Sequence, residues 1–218
     1  LANGDIDLIL DSWQPVTHED YIDEYGDEIV DLGVLYGGAK LGWIVPEQTY
    51  NNGLQSIEDL KKEKWQDELR GQIQGIDPGA GITRLSHQAI EDYELDYNLI
   101  EASGAAMTAA LDRAVSRGNP IVVTGWSPHW KFGAYDLKYL EDPKGTLGGA
   151  ESIHAMARQG FKEDFPQIAK LAGCINVDIE TLNKYMYLGR EESTEDAIQQ
   201  FLEDESDLVD EWVQCARN

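Results

Sequence analysis

Two tryptophans in this 218-residue chain stand where apolar runs end, each followed within two residues by a proline. Ile121-Val122-Val123 leads into Thr124-Gly125-Trp126-Ser127-Pro128-His129-Trp130. Asp5-Ile6-Asp7-Leu8-Ile9-Leu10 leads into Asp11-Ser12-Trp13-Gln14-Pro15, with His18 shortly after. Such runs read as buried strands. Both rings then fall at strand carboxyl ends, where open α/β sheets place their ligand crevices. Two aromatic walls facing one cleft suit a cation that cannot donate hydrogen bonds, such as a quaternary ammonium. Most tryptophans belong to cores, and Trp43, Trp65 and Trp212 are read that way. Trp13 and Trp126 differ in lying beside a proline, outside the apolar run. Trp130 is read either as a further cleft residue or as a support behind Trp126.

Asp77-Pro78-Gly79-Ala80-Gly81-Ile82 lies between an expected strand and an expected helix. Backbone N–H groups in such a loop can point at an anion, and the helix N-terminus adds a partial positive charge. The segment is neither a Walker A loop nor a GxGxxG fingerprint, so it does not indicate a nucleotide. It is read as a carboxylate site, the alternative being a glycine turn required only by chain geometry. His18 either donates to a ligand oxygen or caps a turn. His129 is read as structural, and His87 and His154 as surface or satisfied histidines.

No reaction chemistry is marked out. Ser103-Gly104-Ala105 is not a nucleophile elbow, and no pair of carboxylates stands in an apolar setting that would split its pKa values. The four histidines form no HExxH or similar metal motif. No cofactor is implied. Forty-one acidic against seventeen basic residues give a net charge of −24, which repels phosphate backbones and anionic membrane surfaces. The acidic residues, densest near 191–211, are expected on solvated helix faces. Cys174 and Cys215 sit in no metal-ligand spacing. They are read as two buried thiols, with one disulfide closing the C-terminal helical region as the alternative, which an oxidising compartment would permit.

The elements that must hold these residues alternate between strand and helix, which points to an α/β protein with mostly parallel sheets. Strands are expected at 5–10, Ala39–Val45, Gln72–Ile76, Tyr97–Glu101, 121–125 and 151–158, with an acidic helix or loop at 16–29. Ser56 with Asp59 reads as a capping-box helix start. Further helices are expected at 83–93, from Ser103 to about Ser116, and near 162–172, 178–188, 194–203 and 206–214. The stretches 46–70 and 143–150 are natural crossings between two lobes, an arrangement typical of hinge-closing binding proteins. The chain opens at Leu1-Ala2-Asn3-Gly4-Asp5 without a methionine and enters a strand almost at once. It is therefore expected to lack its natural beginning, so the absence of a signal peptide says nothing about export.

Gly75-Ile76-Asp77-Pro78-Gly79-Ala80-Gly81-Ile82, Ser103-Gly104-Ala105-Ala106-Met107-Thr108 and the Thr124–Trp130 segment resemble the glycine betaine-binding proteins of ABC importers. So do Leu137-Lys138-Tyr139-Leu140-Glu141-Asp142-Pro143-Lys144 and Asp11-Ser12-Trp13-Gln14-Pro15-Val16-Thr17-His18. Val45-Pro46 and Ser56-Ile57-Glu58-Asp59-Leu60 fit the same pattern. The resemblance implies a type II periplasmic-binding-protein-like α/β fold with a ligand cleft between two lobes. Lobe I would comprise 1–69 and 146–218, and lobe II 70–145. Trp126 and Trp13 would be walls of a tryptophan box. Gly81 and Ile82 would supply backbone donors, and His18 a side-chain donor. The order of segments matches the unpermuted members of the family. A first strand and helix carrying another box tryptophan would precede Leu1, and Val177 stands where some members have an aromatic residue.

The function so implied is a monomeric, periplasmic or extracellular solute receptor, with a lipid anchor as an option, that passes a betaine-type osmolyte to an ABC transporter permease. Proline betaine, choline, carnitine and sulfonium analogues remain alternative ligands. An enzyme acting on a small zwitterionic carboxylate and a sensory ectodomain are the competing readings.

Overall fold

The computed structural model describes residues 1–217. Its elements follow in the order β1 (Leu8–Gln14), α1 (Glu19–Tyr25), a 3-10 turn at Gly26–Glu28, β2 (Ile29–Pro46), α2 (Glu47–Asn51), a 3-10 turn at Ile57–Lys61 and α3 (Glu63–Leu69). Next come β3 (Gln72–Gln74), α4 (Gly81–Asp92), β4 (Asn98–Ile100), α5 (Gly104–Arg117), β5 (Val123–Ser127), α6 (Lys131–Ala134) and β6 (Leu137–Tyr139). The chain closes with β7 (Ala150–Arg158), α7 (Phe161–Asp164), α8 (Pro166–Cys174), α9 (Ile179–Glu191), α10 (Thr194–Asp204) and α11 (Ser206–Arg217).

The chain forms two compact units. The first holds Leu1–Ala39, Pro128–Trp130 and the segment from Ala150 onward; the second holds Lys40–Ser127 and Lys131–Gly149. Segment 40–69, assigned to the first lobe in the sequence reading, thus packs in the second unit. The physical reason is β2. Its second half pairs with β5 from Lys40↔Ser127 to Ile44↔Val123, and with β6 from Ile44↔Tyr139 to Pro46↔Leu137. Flanked on both sides, Leu41–Pro46 is buried without alternation, as a central strand should be. The sequence reading starts this strand at Ala39 because the first half of β2, Ile29–Gly38, lacks such an apolar run.

The expected mostly parallel sheet is instead mixed. β1 pairs antiparallel with β7, and β2 pairs antiparallel with β5 and β6, while β3 is parallel to β4 and β5. Alternation of strand and helix along the chain does not fix strand direction when a strand as long as β2 serves partners at both ends. Pairing also explains a glycine inside the Thr-Gly-Trp motif. Gly125 lies opposite Gly42, and a Cβ on Gly125 would stand 2.5 Å from Cδ1 of Ile44. No side chain fits there.

Local capping matches the sequence signals. Ser56 and Asp59 make a reciprocal capping box, although the element they start is a 3-10 turn. Ser103 caps α5 through Ala106 N–H, and Asp178 and Ser193 cap α9 and α10. The two cysteines are not free thiols. Cys174 at the end of α8 and Cys215 in α11 form a disulfide, with Cα atoms 6.0 Å apart. Sequence separation of 41 residues gave no local sign of this closure. Trp43 and Trp65 are buried in the core, as expected, whereas Trp212 is half-buried and lines a cavity.

Candidate functional site

In the first unit, Trp13 and His18 are brought together at the carboxyl end of β1. Trp13 pairs with Ile153 of β7 and is nearly buried. Its indole Nε1 donates to Asp11 Oδ1 at 2.8 Å, which ties the ring plane to its own strand. The chain then turns through a cis Gln14–Pro15 bond. His18 folds back so that its Nδ1 accepts the backbone N–H of Trp13 at 3.1 Å. An acceptor nitrogen carries no proton, so neutral His18 presents its N–H at Nε2. Burial holds His18 below the ordinary histidine pKa, against the opposing pull of Asp11 and Glu151. The ring borders a cavity of about 510 Å³ shared with Ser12, Tyr21 and Ile22. Both sequence options for His18 are therefore compatible: it closes a turn through one nitrogen and keeps the other as a donor.

The same loop is gripped from below by Glu151, at the start of β7. Its carboxylate is buried and accepts from the backbone N–H groups of Val16 and Thr17, at 3.0 and 2.9 Å, and from the Thr17 hydroxyl. Three donors converging on one carboxylate satisfy the charge that burial would otherwise penalise. Sequence reasoning missed Glu151, because one acid among forty-one carries no mark of burial.

In the second unit, Gly81 and Ile82 open α4. The N-cap residue is Ala80, which offers no side-chain acceptor, and the first turn holds no acidic residue. Unlike α5, α9 and α10, this helix has first-turn N–H groups that no capping side chain covers. An uncapped helix of twelve residues directs its dipole and its donors at whatever lies before it. Two side-chain hydrogen bonds anchor the helix. Trp43 Nε1 on β2 donates to Ser86 Oγ at 2.9 Å within the core, and the Thr83 hydroxyl donates to the Asp77 carbonyl at 2.8 Å.

Trp126 stands near the end of β5 and is half-buried. It packs against the cluster of Ile44, Met107, Leu111, Val123 and Leu137, as does Ile76 just before the Asp77 loop. β3 and β5 are joined by Gln74 N–H to Val122 O at 2.9 Å. The loop of Gly81 and the ring of Trp126 therefore share one framework. Lys131 Nζ lies 4.1 Å from the centroid of this ring. Lys131 is fully buried, and burial lowers its pKa to about 7. This lysine, directly after the Thr124–Trp130 segment, is the second residue that sequence reasoning missed. Its adjacency to the motif was the available signal.

Trp130 lies in the first unit. It lines a largely apolar cavity of about 640 Å³ with residues of α9, α10 and α11, including Tyr185, Phe201 and Trp212, and with Val177. Arg190 stands over its ring at 5.2 Å. Next to it, His129 donates its backbone N–H to Asn183 Oδ1 at 3.0 Å, which seats the Pro128–Trp130 segment on α9. His87 contacts Glu101 and His154 contacts Asp31, each at 2.8 Å, so both are satisfied histidines. Among the described residues, no group of three or more His, Cys, Asp or Glu side chains could hold a metal ion. No described helix is long and apolar enough to cross a membrane.

Two α/β units, with a tryptophan near a strand end in each and an uncapped helix N-terminus in one, define the class as type II periplasmic-binding-protein-like. Solved structures bear this out. Lactococcal OpuAC in its closed-liganded conformation with glycine betaine superposes with a TM-score of 0.88 at 36% identity, over 97% of this chain and 82% of that one. The glycine betaine/L-proline-binding protein ProX from Borrelia burgdorferi gives a TM-score of 0.88 at 32% identity, over 98% of this chain and 80% of that one. The chain belongs to the OpuAC family, the substrate binding domain of the ABC-type glycine betaine transport system, whose model matches residues 1–204. A curated relative, the glycine betaine/carnitine transport binding protein GbuC of Listeria monocytogenes, is 39% identical over 159 residues. That match covers 71% of this chain and 53% of the relative, so the chain spans about half of its length.

Proposed function

We propose that this chain is the solute-binding receptor of an ABC importer and takes glycine betaine or a closely related quaternary ammonium osmolyte. The observation that carries the reading is Trp126, half-buried at the end of β5 on the same framework as the uncapped start of α4. An aromatic face at that position has the electrostatics that a quaternary ammonium takes. In this reading Trp126 and Trp13, with Trp130 as a further aromatic residue, take the trimethylammonium group. The N–H groups of Gly81 and Ile82 and the Nε2–H of His18 take the carboxylate. Each desolvated cation–π contact contributes about 1–2 kcal/mol, and each charge-assisted hydrogen bond about 1.5–3 kcal/mol. These gains offset the cost of immobilising the ligand.

The receptor works as a monomer on the outer side of the cytoplasmic membrane, and delivers its ligand to a membrane permease. The Cys174–Cys215 disulfide supports an oxidising location. No chemical step belongs to this function; the ligand leaves as it arrived. The test is titration calorimetry with glycine betaine and with unmethylated glycine, followed by recovery of the ligand. Tight binding of the betaine alone, recovered unchanged, is the expected result. Equal binding of glycine, or a converted product, overturns the reading.

A further inference from the structure

We propose that Lys131 sets the charge specificity of the Trp126 face, opposing ligands of net positive charge and so favouring zwitterions. The inference rests on the receptor reading above. Lys131 Nζ stands 4.1 Å from the Trp126 centroid, and its side chain is wholly shielded from solvent. It is held there by a short helix, α6, whose last turn closes through Tyr135 N–H to the Lys131 carbonyl at 3.0 Å. Phe132, Tyr135 and Tyr139 pack against the same cluster as Trp126.

A cation in that position draws on the π density that a quaternary ammonium would use. If the ligand takes the same face, Lys131 must leave. If it takes the opposite face, two positive charges act across one ring. In both cases protonated Lys131 opposes the ligand cation, and shielding from water makes the opposition count. A zwitterion such as glycine betaine brings its own carboxylate within a few ångströms of its nitrogen, and most of the repulsion cancels. Choline carries the same trimethylammonium group with a net charge of +1 and has nothing to cancel it. The difference between these two ligands therefore reads the charge of Lys131 directly.

Charged groups beside this cluster include Lys40, whose Nζ stands 4.5 Å from the Tyr139 centroid, and Asp112, which accepts from the Tyr135 hydroxyl at 3.1 Å. Both remain in the variants below and drop out of the comparison. The experiment measures glycine betaine and choline affinities by calorimetry, at about pH 6 where Lys131 is protonated, for the wild type, Lys131→Met and Lys131→Gln. Two variants guard against one failing to fold. Choline affinity is expected to rise about tenfold relative to betaine in both variants, equivalent to about 1.4 kcal/mol. An unchanged ratio, or choline binding that stays undetectable in both variants while betaine binds, overturns the role of Lys131 and leaves the receptor reading standing. A wild type that binds neither probe overturns both.

Discussion

Nδ1 of His18 accepts the backbone N–H of Trp13 at 3.1 Å, so the imidazole and the indole of the first unit are locked into one turn. Protonating Nδ1 would convert that acceptor into a second donor facing the first. Burial already holds the His18 pKa below its ordinary value of about 6.5. The folded state therefore binds fewer protons than the unfolded chain just below that value. Stability attributable to this histidine is complete above about pH 6.5 and is lost as pH falls through the lowered folded value, by at most about 1.4 kcal/mol per pH unit. Urea denaturation of the wild type and His18→Phe across this window should show the slope in the wild type alone. Parallel curves would remove the histidine from the account.

Glu151 predicts a different kind of loss. Replacing it by Ala leaves the Val16 and Thr17 N–H groups and the Thr17 hydroxyl without their acceptor. Unsatisfied buried donors cost about 1–3 kcal/mol each, less where water enters. Glu151→Ala should lower stability by about 3 kcal/mol in urea, and should also weaken betaine binding, because the loop it grips carries His18. Glu151→Gln keeps one acceptor oxygen and should lose less on both counts. Betaine affinity unchanged in folded Glu151→Ala would show that the loop has no part in binding.

Trp126→Ala and Trp65→Ala separate binding from packing. Trp65 is buried in the core of the second unit, with Lys64 over its ring at 4.1 Å. Its truncation should cost about 3–5 kcal/mol of stability while leaving the affinity of the folded fraction unchanged. Trp126 is half-buried, so its truncation should cost less stability and weaken betaine binding about 5- to 30-fold, the size of one cation–π wall. Calorimetry with circular dichroism on both variants decides it. Equal losses of affinity would count against Trp126 as a wall.

Gly81→Val tests the anion end. A branched side chain at the first position of α4 blocks close approach to the N–H groups there, yet a first-turn position tolerates the change in helix propensity. Glycine betaine should lose at least tenfold in affinity, about 1.4 kcal/mol. Choline, which has no carboxylate, should lose less. The same factor for both ligands would reduce the loop to a structural turn.

Much of this protein is written in local signals. Ser56 with Asp59, Ser103 before α5 and Ser193 before α10 mark element starts that the structure keeps, because a cap needs only neighbours three residues away. Trp13, Trp126 and the Asp77–Ile82 loop were legible for a similar reason: apolar runs, prolines and glycines punctuate the chain where strands and helices must end. Those signals sufficed to place Trp13 and Trp126 near strand ends and Gly81 at a helix start.

Other features depend on partners far along the chain, and only tertiary structure decided them. The antiparallel course of β2, the assignment of residues 40–69 to the second unit and the Cys174–Cys215 bridge all follow from long-range pairing. So does the burial of two charged residues. Glu151 is buried because the Val16–Thr17 turn folds onto β7, and Lys131 because α6 lays it across Trp126. Burial of a charge is a property of its surroundings, and no residue type or spacing announces it.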